Sequence, residues 1–157
     1  MLKILNETFN INPLDSSYTL DIDKTRLATF SSISGGEIEM EVIKHNVVHE
    51  SGEYQTLLIP GVTHFAPITL SNGYGNTKEL YNWFVSASNG LTKAARKNVT
   101  ISLNSHQKGK YEALVVWNLT NTMPIKIAGF ESDQTRPSAV ARFSITLMAE
   151  TIERVDP

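Results

Sequence analysis

Hydrophobic and polar residues alternate at period two along most of this chain, and one segment switches to the helical period. Tyr18, Leu20 and Ile22 alternate with Thr19 and Asp21, which predicts a first strand that turns at residues 23–25. Residues 27–33 read as the return strand, ended by Ser34, Gly35 and Gly36. Over 37–48, Ile38, Met40 and Val42 alternate with Glu37, Glu39 and Glu41, placing three carboxylates on one face about 7 Å apart. Residues 44–60 lose that regularity and carry a Ser51-Gly52 tip, so they read as a protruding hairpin or loop. Its apolar residues Val47, Val48, Tyr54, Leu57 and Leu58 exceed what a solvated loop carries, and are expected to meet protein.

Ala66, Ile68 and Leu70 share one face of the next extended segment, and Gly73 and Gly75 supply a sharp reversal. Pro67 has no amide to give a ladder, so the strand over 65–70 should be an edge or bulged there. A helix follows over about 77–87. Asn76 is suited to cap it, Glu79 has capping-box spacing, and Leu80, Trp83, Phe84 and Ala87 make one apolar stripe. So short a helix needs burial, and Leu80, Trp83 and Phe84 are the expected anchors where it closes one opening of a sheet.

Ser88, Asn89 and Gly90 stop the helix, and residues 91–97 read as a basic link with Lys93, Arg96 and Lys97. Val99, Ile101 and Leu103 then alternate as a half-buried strand. After a turn at 106–110, the strand over 111–119 is apolar on both faces from Ala113 to Trp117, which predicts a central position. Asn121, Thr122 and Pro124 mark a break, 124–130 is short and extended, and 131–138 is a polar loop. A last strand over 140–150 sets Phe143, Ile145 and Leu147 on one side. Residues 1–16 look like an arm. The expected fold is mainly β: one domain over 1–157, a small antiparallel barrel or sandwich of about six to eight strands with one helix.

A chain of 157 residues supports one substantial core. A net charge of -2 and a pI near 6.1 give no basic footprint for nucleic-acid recognition. With no cysteine there is no disulfide, thiolate metal site or cysteine nucleophile. Residues 54–77 hold no Asp, Glu, Lys or Arg, yet prolines and glycines interrupt them, and no membrane span is expected. The first residues lack an apolar core with a cleavage site, so no secretion signal is expected.

Candidate chemistry is sparse. His45 and His49 are four apart, but their surroundings are strand-like and no third ligand follows at a useful spacing. His64 and His106 are isolated. The stretch NGYGNTK precedes a helix but lacks phosphate-loop spacing. An enzyme could use Glu37 or Glu41 with a histidine, yet nothing separates three equivalent carboxylates into acid and base. A monomeric binding module is a further reading that the aromatics allow. No catalytic residue, cofactor or metal is expected.

Phe30 with Ser34-Gly35, Pro60-Gly61, the strand Ile68-Thr69-Leu70 ending at Gly73, the helix letters Leu80, Tyr81 and Trp83, and WNLTNTMPIK at 117–126 resemble the contractile-tail tube protein family. The last strand, AVARFSITLMAE at 139–150, is similar to that family's closing strand, with Glu150 at its acidic end. The chain departs from the family pattern at Asn72, Thr122 and Ser51-Gly52. The family covers myophage tail tubes and the tubes of extracellular contractile injection systems, and is related to the haemolysin-coregulated tube proteins of type VI secretion. The resemblance implies a structural, non-enzymatic subunit, made in the bacterial cytoplasm and assembled into a phage tail or injection particle. Its implied partners are other copies of itself in stacked hexameric rings, a contractile sheath protein, baseplate and terminator proteins, and cargo protein or genome in the bore. An initiator ring at the baseplate is the alternative within the same machine. In such a tube Glu37, Glu39 and Glu41 could line the lumen and repel acidic cargo.

Overall fold

The computed structural model describes residues 16–107, 110–131 and 142–157. Expectations for the arm over 1–15, the turn at 108–109 and the loop and strand start over 132–141 lie outside them. The described residues form β1 (Ser16–Ile22), β2 (Thr25–Gly35), β3 (Ile38–Val48), β4 (Tyr54–Phe65), β5 (Ile68–Gly75), α1 (Thr77–Ser88), α2 (Thr92–Ala95), β6 (Lys97–Gln107), β7 (Lys110–Glu131), β8 (Arg142–Met148) and β9 (Thr151–Val155).

Six of these strands close a barrel. The order is β6-β1-β2-β5-β8-β7, and a β6–β7 ladder joins the ends, while β9 lies on the other side of β7. All ladders are antiparallel. The residues that alternate in the sequence meet inside: Leu20, Phe30, Leu70, Ile101, Leu119, Ile145 and Leu147 are almost wholly buried. At the centre, Gly73 stands between Phe30 on one neighbouring strand and Phe143 on the other. The two rings meet edge to face over it, with centroids 5.3 Å apart, a favoured geometry for aromatic quadrupoles.

Strand β7 runs for 22 residues, so Asn121, Thr122 and Pro124 bend it without breaking it. The reason is a change of partner. Up to Thr122 it pairs with β6, and from Met123 onward with β8. Asn121 takes a φ of 48° at the bend, a conformation that asparagine tolerates better than most residues. Strand β9, which the sequence pattern does not suggest, carries on the line of β8: Met123↔Met148 and Thr120↔Thr151 fall in one register along β7. Glu150 sits at the joint, its carboxylate 3.1 Å from Arg96 and accepting from the Asn121 amide at 2.8 Å. The 91–97 stretch, read from the sequence as a basic link, contains the short helix α2.

Helix α1 packs on β7, β2 and α2. Its cap is the expected one, with the Asn76 side chain accepting from the Glu79 amide at 3.2 Å. Leu80 and Trp83 are buried in the core, whereas Phe84 is half-buried. The Trp83 indole donates to the Ala95 carbonyl and so ties α1 to α2.

Candidate functional site

The barrel interior holds the packed core side chains, Leu20, Phe30, Leu70, Ile101, Ile145 and Leu147 among them. A cleft of about 320 Å³ opens between the helices and β1–β2, with Ile22, Leu27 and Trp83 lining it and Glu79 and Lys97 also present. No group of three or more His, Asp or Glu able to hold a metal occurs among the described residues. No described helix is long and apolar enough to cross a membrane.

The unusual surface is the β3–β4 hairpin. Among the described residues it has no third strand, and it extends the β2–β5 ladder beyond the barrel wall: Ile33↔Leu70, Gly35↔Ile68 and Ile38↔Phe65 belong to one register. The chain leaves the wall at Gly35 and Gly36, whose φ values of 80° and 69° suit glycine, opposite Ile68 and Pro67. There the Gly36 amide donates to the Pro67 carbonyl at 3.0 Å and the Ala66 amide to the Glu37 carbonyl at 2.9 Å. Pro67 thus sits in the gap between β4, which ends at Phe65, and β5, which starts at Ile68. The segment read as one strand over 65–70 is two strands for this reason.

From the root to the tip at residues 49–53 the arm spans on the order of 30 Å, given a rise of about 3.3 Å per residue. It is longer than the 44–60 segment expected to protrude, because β3 starts at Ile38. A bulge between Met40 and Val42 falls opposite Gly61, where a Cβ would lie 3.0 Å from the Glu41 carbonyl oxygen. Close backbone approach thereby accounts for the glycine of the Pro60-Gly61 motif.

Both faces of the arm are greasy. Cross-strand pairs share a face, so Ile38, Met40, Val42, Val48, Tyr54 and Leu58 lie together on one side, and Ile43, Leu57 and Ile59 on the other. All of them are exposed, Tyr54 by 83% and Leu58 by 66%. Of the expected contact residues, Val48, Tyr54 and Leu58 occupy the first face, while Val47 and Leu57 occupy the second. A lone two-stranded ribbon is marginal in water, and apolar surface of this extent marks a contact region.

Glu37 precedes β3, and Glu39 and Glu41 stand near the root of the arm, so these carboxylates belong to the projection and not to the barrel wall. Glu39 faces His64 across the ladder, and the His64 ring nitrogen lies 2.9 Å from Glu41. His45 and His49 are likewise on the arm or its tip, and His49 is hydrogen-bonded to Gln55. The pairing of His64 with Glu41 was beyond reach of the sequence, since it spans 23 positions and depends on the register.

A closed barrel, a capping helix and a two-faced arm are the setting for the comparison with known proteins. The T4-like virus tail tube protein gp19 family matches residues 15–153. The chain belongs to this tail tube family. Among solved structures it is similar to a chain of the PVC sheath-tube complex, an extracellular contractile injection system in the extended state. That match has 23% identity and a TM-score of 0.67, and covers 100% of this chain and 99% of that one. A chain of the PVC sheath/tube terminator is 27% identical, with a TM-score of 0.61 and coverage of 88% and 92%. A chain of the anti-feeding prophage cap, which terminates its tube, is 26% identical, with a TM-score of 0.61 and coverage of 89% and 88%. No curated protein matches the sequence. The tail tube family and these neighbours are structural components of phage-tail-like particles.

Proposed function

We propose that this tail tube protein is the repeating subunit of the inner tube of a contractile machine. Copies close into hexameric rings, and the rings stack into a hollow conduit for cargo or genome inside a sheath. The observation that carries this reading is the arm, with apolar residues exposed on both faces and no core of its own. An element so built is completed by other copies, and a heterologous contact repeated by rotation generates rings and stacks. Each such interface should bury more than about 1,000 Å². The subunit then acts mechanically, through many modest contacts that sum to a stiff wall.

The test is to remove residues 48–56 and close the shortened strands with an Asn-Gly turn. The variant is expected to keep the circular dichroism of the barrel and to lose polymerisation in electron micrographs. Tubes that form as before would refute the role given to the arm.

A further inference from the structure

Among the described residues of β3 and β4, imidazoles are the only basic side chains on the carboxylate face of the arm. That face carries Glu39, Glu41, Ile43, His45 and Val47 from one strand, with Gln55, Leu57, Ile59 and His64 from the other. Lys44 pairs with Leu58 on the opposite face. Among the described residues of the arm, the charged groups that face His64 are Glu39, its cross-strand partner, and Glu41, 2.9 Å away. His45 lies further along the same face, and His49 is engaged with Gln55 at the tip.

In the single chain the His64 and Glu41 side chains are 59% and 61% exposed, so their contact contributes little by itself. Assembly changes that. A neighbour that covers Ile43, Leu57 and Ile59 also covers the two carboxylates beside them, and carboxylates taken out of water need a cation or a proton. Histidine is the side chain whose charge ordinarily changes between pH 5 and 8.

We propose that tube assembly is linked to proton uptake at His64, the arm seating on its neighbour in the form in which a charged imidazole stands between Glu39 and Glu41. The proposal rests on the tube reading above and adds its regulation. The assembled state binds more protons than the free barrels, so association strengthens as pH falls and weakens as pH rises. A particle put together this way grows in mildly acidic solution and loosens in mildly alkaline solution.

The experiment is sedimentation of the full chain between pH 5.5 and 8 at constant ionic strength, with circular dichroism to confirm folding. For wild type the concentration at half-assembly should rise with pH, by up to about tenfold per pH unit for one linked proton. His64→Gln should assemble weakly and lose most of that slope. His64→Arg, which keeps a fixed charge, should assemble at pH 8 about as well as wild type does at pH 6. A wild-type profile that is flat, as solvated carboxylates lining a bore would give, overturns the proposal and leaves the tube intact. A His64→Gln slope equal to wild type does the same. Absence of assembly at every pH overturns the tube reading and this proposal with it.

Discussion

Gly35 and Pro67 approach so closely at the root of the arm that a Cβ on Gly35 would lie 2.2 Å from the Pro67 carbonyl oxygen. Both the left-handed φ of 80° and the lack of space demand glycine. Gly35→Ala should therefore cost about 2–4 kcal/mol in urea unfolding, through strain and a forced backbone shift. Gly52 at the tip has a φ of 83° but nothing within 4 Å, so Gly52→Ala should cost only about 1 kcal/mol.

A second close approach fixes the barrel centre. A Cβ on Gly73 would stand 2.4 Å from the Phe30 ring, which is itself 1% exposed. Gly73→Ala should push the ring off Phe143 and lower stability by about 1–3 kcal/mol. Phe30→Ala, which leaves a cavity, should cost about 3–5 kcal/mol. Thermal melts of the two variants check the order.

Thr122 is fully buried at the bend of β7, and its hydroxyl has no hydrogen-bond partner among the described residues. Removing an unsatisfied buried hydroxyl while keeping the shape gains stability. Thr122→Val should raise the unfolding free energy by about 1 kcal/mol, measured by urea titration. A loss would show that the hydroxyl is satisfied in solution.

Trp83 holds α2 through its indole, in a buried position. Trp83→Phe keeps most of the apolar contact and deletes the donor to the Ala95 carbonyl. The expected cost is about 1–3 kcal/mol. Hydrogen exchange should rise over residues 92–96 more than in the barrel strands.

Much of this architecture was legible because each interior strand alternates and each barrel face is covered. The α1 boundaries followed from Asn76 and the Leu80, Trp83 spacing, signals that act within one or two turns. Three features were not legible, and all depend on pairing between distant residues. Pro124 reads as a strand break in isolation, yet β7 passes through it because β8 takes over from β6 there. Residues 151–155 show too little alternation to read as a strand, and β9 exists because β8 runs on along β7. Ile38, Met40 and Val42 alternate like a half-buried strand, but the ladder carries them past the barrel, where they stand exposed. The candidate contact residues could be picked from composition, while their division between two faces required the register.

The central claim is that copies of this chain complete one another through the arm. Negative-stain imaging of purified protein across a concentration series, with sedimentation in parallel, addresses it directly. Annular particles that lengthen into hollow tubes as concentration rises are the expected result. A single 17.4 kDa species at every concentration and pH, with no annular contact, would contradict it.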